Sequence, residues 1–266
     1  MSNDRRRRRA ERASNRTRPT SPVQRRAPAS RGGLRGTIDS FGGPVTVGAI
    51  GLALVFVIGL VFLNRPGSSI DNTPFEPKER AQVDAKTWGD PLAPVRIVMF
   101  EDFQCPVCRR FTEELEPQLA SEFIETGRVV VEYHHMAFLG AESVAAASAS
   151  ECANEQGAFW PYHDILFLRQ GAENAGVFST SNLKTFAEQM AAAIPDLGWD
   201  QAAFDACVDG GQTTAIVEAE TGEARTAGVS STPSFLVNGE AIVGLPTYDS
   251  LRSTIERVEA AASGGS

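Results

Sequence analysis

Apolar positions along the chain follow three rhythms, and each predicts a different kind of element. The first is an unbroken run, "PVTVGAIGLALVFVIGLVFL" over 44–63, which holds 20 residues and no charge. As a helix it would be about 30 Å long, the thickness of a bilayer's hydrocarbon core. The second is a short, nearly continuous run in "PVRIVMFED", where Val95, Ile97, Val98, Met99 and Phe100 read as a strand covered on both faces. The third is helical. In "RRFTEELEPQLASEF", Phe111, Leu115, Leu119 and Phe123 share one face, and Pro117 inside the pattern is expected to kink it. "GRVVVEYHH" then predicts a second strand over 129–133, after a stop at Gly127.

From 139 to 227 the chain turns Ala-rich, and "AESVAAASASECANEQ", "FWPYHDILFLRQ", "STSNLKTFAEQMAAA" and "DQAAFDACVDGG" each predict helices. Strand character returns in "SFLVNGEAIVG", two apolar runs around Asn238-Gly239 that predict a hairpin. A last amphipathic helix is expected over 247–262. The order is β-α-β, a helical block, a β-hairpin and a helix, which makes the body an α/β structure.

Charge changes this picture at the N-terminus. Residues 1–43 carry 12 arginines, no lysine and three acids, net +9, whereas the remainder carries 13 basic and 30 acidic residues, net −17. A tail this basic suits nucleic acid or an anionic membrane surface. The adjoining apolar run favours the membrane. A cleaved signal peptide would have an apolar stretch of about 7–15 residues ending in a small-x-small site. This run is longer and leaves through "VFLNRP". A single, uncleaved transmembrane helix is therefore expected over 44–63, with a disordered tail, 1–43, in the cytoplasm. The body then lies outside the cell membrane, where disulfides persist. The arginines serve as topology signals and lipid contacts, and no nucleic-acid partner is expected. Residues 64–81, rich in Pro, Ser and charge, predict a linker.

Cys105 and Cys108 stand between the first strand and the helix of the βαβ unit, in "QCPVC". Such a pair can bind zinc, staple the chain or carry redox chemistry. Zinc needs four ligands, and the spacing fails: Cys152 and Cys207 lie 44 and 99 residues beyond Cys108, and adjacent His134 and His135 point to opposite faces of a strand. A staple across two residues closes too little chain to stabilise much. A helix start, by contrast, favours a thiolate at Cys105 through free N–H groups and the helix dipole. Cys108, one turn in, is more buried and placed to resolve a mixed disulfide. The position points to a redox pair with no metal and no cofactor.

Together with these cysteines, "WGDPLAPVRIVMFEDFQCPVCRRF" and "GVSSTPSFLVNGEAIVG" resemble the DsbA-like branch of the thioredoxin superfamily over about residues 82–262. The resemblance implies a thioredoxin-fold domain, 82–138 and 228–262, with an inserted α-helical domain, 139–227. It implies that Thr232 and Pro233 form the cis-proline loop beside the active site. A proline without an N–H there leaves the preceding backbone free to pair with an extended substrate. It also implies a structural disulfide, Cys152–Cys207, because the segments around these cysteines are similar to those of members with an extra bridge in the helical domain. Closing that loop would stabilise the fold by about 4 kcal/mol.

Two positions depart from the pattern. Strongly oxidising members have His where Val107 stands. Between the cysteines, Pro106 and Val107 therefore set a higher Cys105 pKa and a less oxidising potential than in those members. Many members have an acid at the position of Met99. Glu101 or Asp102 could stand in, although their side chains are expected to face solvent. Arg109 and Arg110 either face solvent or lend positive charge to the site. His163 reads as a hydrogen-bonded structural residue, and Phe159, Trp160 and Phe167 as core.

The function implied is that of a membrane-anchored, extracytoplasmic thiol–disulfide oxidoreductase introducing disulfides into reduced or misfolded exported polypeptides. A quinone-linked membrane partner would reoxidise it. Two other readings share these residues: a disulfide reductase or isomerase, and a non-catalytic anchored chaperone or assembly module using the same groove.

Overall fold

The computed structural model describes residues 49–57 and 73–264, and the chain divides into two units, Met1–Arg65 and Pro66–Ser266. In the first unit residues 49–57 are helical, with Ile50, Leu52, Leu54, Val55 and Phe56 exposed. No helix among the described residues is long and apolar enough to cross a membrane. The span expected over 44–63 runs past the described residues at both ends, and the tail 1–43 and linker residues 64–72 lie outside them.

The second unit is built on a six-stranded sheet of order β1-β2-β4-β3-β5-β6. β3 (Val95–Glu101) lies at its centre, parallel to β4 (Val129–His135) and antiparallel to β5 (Ser234–Val237). The continuous apolar run explains this place: Val95, Ile97, Met99 and Phe100 are all buried. β6 (Glu240–Val243) pairs with β5 through Asn238 and Gly239, both at positive φ (45° and 90°), as a two-residue hairpin turn requires. On the other side β1 (Val83–Asp84) and β2 (Thr87–Trp88) add a small antiparallel extension. With two residues each, they are too short to leave a period in the sequence. Gly89 follows β2 at φ 111°, and a Cβ there would lie 2.6 Å from the Val129 carbonyl oxygen, so the approach of β2 to β4 needs glycine.

The helical run after the cysteines is one sequence of four pieces: α1 (Pro106–Arg110), a π-helical turn Phe111–Leu115, α2 (Glu116–Leu119) and a second π-helical turn Ala120–Ile124. The disturbance comes from Pro117. Lacking an N–H, it sits in the first turn of α2, where the preceding π turn has already shifted the bonding register. Phe111, Leu119 and Phe123 are buried by this run, each contributing roughly 1.5–3 kcal/mol by removal from water.

Between β4 and β5 the chain forms α3 (Ala141–Asn154), α4 (Phe159–Arg169), α5 (Thr180–Ala193), α6 (Gln201–Gly210) and α7 (Thr214–Thr226). Phe159, Trp160 and Phe167 pack in the core that these helices share with the sheet. α8 (Tyr248–Ser263) closes the fold, its N-terminus capped by the Thr247 hydroxyl accepting from the Ser250 N–H.

One segment read as linker is not free. The Arg80 side chain is 3% exposed and donates to Asp164 (2.5 and 2.8 Å) and Glu116 (2.8 Å). Its guanidinium also stacks 4.7 Å from the Trp88 ring and 5.0 Å from the Trp160 ring. A buried arginine is tolerated only when paired in this way, and its partners are 36 and 84 residues distant in sequence.

Candidate active site

β3 ends at Glu101, and beyond it Cys105 stands as the N-cap of α1. The turn is stitched by Asp102. One carboxylate oxygen accepts the Gln104 N–H (2.8 Å) and the other accepts those of Phe138 (2.9 Å) and Leu139 (3.1 Å). Pro106 occupies the first helical position, where its missing N–H costs nothing. Cys105 is 6% exposed and Cys108 0%, so only the first sulfur can be approached from outside. Both are thiols. The Thr232–Pro233 peptide bond is cis, and the Cys105 thiol donates to the Thr232 carbonyl at 3.4 Å, bringing together residues 127 apart. Pro106 is exposed and Val107 half-buried.

The two sulfurs differ sharply in acidity. The Cys105 thiol is pulled down to about 6, first by a hydrogen bond from Cys108, against the opposing effect of burial, with the Thr232 side chain and the N–H groups of Cys108 and Val107 adding to it. Cys108 is pushed well above the ordinary thiol value by burial, by Cys105 and by the charge of Glu101. A value of about 6 lies between the ~3.5 of DsbA and the ~7 of thioredoxin.

Glu101 and Asp102, expected to face solvent, are both buried at 1% exposure. For Glu101 the reason is the strand's period of two: it follows Ile97 and Met99 on one face, and both of these are buried. Glu101 therefore carries an acid on the face of Met99, one step closer to the cysteines. Burial pushes its carboxyl up to about 7, against a hydrogen bond from His163. The contact between His163 Nε2 and Glu101 is 3.4 Å, while His163 Nδ1 lies 3.0 Å from Asp164. The other Glu101 oxygen is buried without a hydrogen-bond partner.

A sequence profile of the family described as Thioredoxin matches residues 82–257. The chain belongs to the thioredoxin family. Within it, the chain is a DsbA-like thiol–disulfide oxidoreductase. It is 27% identical over 171 residues to the disulfide bond formation protein D of Bacillus subtilis, covering 64% of this chain and 74% of the relative. Identity is also 27% over 171 residues with the probable disulfide bond formation protein D of Bacillus anthracis, covering 64% and 76%. The crystal structure of oxidised BdbD from Bacillus subtilis superposes with a TM-score of 0.59 at 24% identity, covering 70% of this chain and 98% of that one. Chlamydia trachomatis DsbA gives 0.54 at 22%, covering 69% and 97%.

Around this thioredoxin-family site, Arg109 is partly buried, donating to Glu113 (2.7 Å) and to the Gln170 carbonyl (3.2 Å), whereas Arg110 is exposed against Glu114. Cys152 and Cys207 are joined by a disulfide with a Cα–Cα distance of 5.9 Å, tying α3 to α6. His135, Glu151 and Glu220 converge within 4.8 Å as a metal site would. Lys86, however, lies 2.6 Å from Glu151 and also contacts Glu220, so an ammonium already supplies the cation there. Lys86 and Gln170 carry no local sequence signal; each is recruited by the fold.

The Glu101 carboxyl gives a pH-dependent test. Its proton is held more tightly in the fold, at about 7, than at the ordinary 4.5. Its contribution to stability is therefore full below about pH 4.5 and is lost as pH rises through about 7. Glu101→Gln, neutral throughout, is expected to gain about 3 kcal/mol relative to the parent between pH 4 and pH 8. Urea unfolding at both pH values measures this. An equal difference between the two proteins at both would show that the carboxyl is not held protonated.

Proposed function

We propose that this oxidoreductase is anchored in the cell membrane, faces outward and introduces disulfides into exported proteins through Cys105 and Cys108. The observation that carries this reading is the division of labour in the pair: a low-pKa, approachable Cys105 against the Thr232–Pro233 loop, backed by a buried, high-pKa Cys108. In the oxidised enzyme a substrate thiolate attacks Cys105. A substrate–Cys105 disulfide forms, the Cys105–Cys108 bond breaks, and Cys108 leaves as a thiolate that takes up a proton. A second substrate thiolate then attacks the substrate sulfur of the mixed disulfide and releases Cys105 as a thiolate. The substrate loses two electrons and the Cys105–Cys108 pair gains them. Glu101, whose charge bears on both sulfurs, holds a proton near neutral pH and serves Cys108 as it gains or loses its own. Thr232 and Pro233 supply the substrate groove. A quinone-linked membrane partner restores the Cys105–Cys108 disulfide.

Anchoring is supported by the charge-free run 44–63 behind an arginine-rich tail. The full chain is expected to stay with membranes through an alkaline wash, and a chain lacking 44–63 to be released; release of both would remove the anchor from this reading. Oxidase activity is tested by mixing the disulfide form with a reduced protein whose function needs its disulfides. About one disulfide should be delivered per enzyme molecule reduced, and recovery no faster than in buffer would refute the oxidase direction. A reductase is the second reading, favoured by a Cys105 pKa nearer to the thioredoxin value than to that of DsbA. It would show net electron flow from the dithiol form into substrate disulfides.

A further inference from the structure

The residues leading into the redox helix, Phe103, Gln104 and Cys105, are gripped by side chains from the helical block that follows β4. Gln170, at the end of α4 and only 7% exposed, donates from its carboxamide nitrogen to the carbonyls of Phe103 (2.6 Å) and Cys105 (3.0 Å). The Cys105 carbonyl also accepts the N–H groups of Cys108 (3.1 Å) and Arg109 (3.2 Å), the first bonds of α1, so three donors converge on it. The Arg109 guanidinium returns to the Gln170 carbonyl and closes a ring. One residue earlier, the Gln104 side chain donates to the Ser143 hydroxyl (2.9 Å) and accepts the Asn174 N–H (2.6 Å).

This grip bears on the chemistry because the Cys105 carbonyl is a negative dipole end close to the Cys105 sulfur. A donor on that oxygen draws its electron density away and so favours a thiolate beside it. The same bond holds Cys105 in its extended N-cap conformation, at φ −73° and ψ 115°. The direction in which the Val107 and Cys108 N–H groups face the sulfur depends on that conformation.

We propose that Gln170 is a positioning residue for thiol–disulfide exchange: by pinning the Phe103 and Cys105 carbonyls to the inserted helices, its carboxamide sets the acidity of Cys105 and the reduction potential of the pair. This deepens the exchange reading and rests on it.

Gln170→Met keeps the length of the side chain and removes its N–H groups. The full chain is titrated against glutathione redox buffers, and Cys105 alkylation is followed against pH. The variant is expected to hold its dithiol form roughly tenfold less well, a shift of about 30 mV toward more reducing potentials. Its alkylation midpoint should move upward. Met190→Ala, a cavity variant buried in α5, serves as the control: a lower melting temperature with potential and midpoint unmoved. Should Gln170→Met not fold, Gln170→Glu carries the test. It keeps the shape, has no N–H to donate when ionised, and should move both readouts the same way. Unchanged potential and midpoint in whichever variant folds would reduce Gln170 to a structural role and overturn the proposal. A parent chain that shows no two-electron transition would instead defeat the exchange reading itself, and this inference with it.

Discussion

Cys105→Ser is expected to abolish disulfide exchange, whereas Cys108→Ser should still let the Cys105 thiolate attack an added disulfide and form a mixed disulfide. The asymmetry follows from burial and acidity together. Cys108 has no exposed surface and a thiol held well above its ordinary pKa, so it can neither be reached nor ionise readily. Cys105 touches the surface and, with a pKa of about 6, is roughly nine-tenths thiolate at pH 7. Serine at 105 removes the only sulfur a substrate can join. Serine at 108 removes the group that would displace the substrate, so a mixed disulfide should accumulate on Cys105 and be seen as an added mass on the intact protein. In the parent, where Cys108 keeps its hydrogen bond to Cys105, the rate of Cys105 alkylation should fall as pH drops through about 6, because protonation removes the nucleophile. Equal loss of mixed-disulfide formation in both variants would mean that the two cysteines are not divided in this way.

The second large effect lies away from the site. Replacing both Cys152 and Cys207 with alanine is expected to lower stability by about 4 kcal/mol, or roughly 10 °C in melting temperature. The bridge closes a loop between residues 55 apart, and its removal frees that loop in the unfolded chain. The loop spans α4 and α5, so loosening should be felt first in the helical block, and exchange at Cys105 should persist at temperatures where the variant is folded. Denaturant unfolding of oxidised parent and double variant measures the difference. A change under about 1 kcal/mol would mean that the loop is already restrained in the unfolded state.

The central strand, the Pro-disturbed helix and the Asn238–Gly239 hairpin could all be read from local pattern, because each rests on a period or a turn preference a few residues long. The redox pair could be read too, since its chemistry depends on standing at a helix start. What escaped was set by distant partners. Arg80 lies in a stretch whose Pro and Ser content signals a linker, and only Trp88, Glu116, Trp160 and Asp164 together make a seat for it. Gln170 meets Cys105 across 65 positions. Glu101 is the instructive miss, because a signal was present. Counting by twos from Ile97 through Met99 reaches it on a buried face, but an acid at a strand's end invites the assumption of solvent. β1 and β2 gave no signal, being too short for any period.

The most direct test is equilibration of the full chain with graded ratios of reduced and oxidised glutathione, acid quenching, and mass measurement of Cys105 and Cys108. A single two-electron transition is expected, at a potential between about −270 and −120 mV and so less oxidising than the strongest oxidases. A pair that stays entirely dithiol or entirely disulfide across the whole range would contradict the exchange roles of Cys105 and Cys108. A midpoint at or above about −120 mV would contradict the effect of Val107 on the Cys105 thiolate.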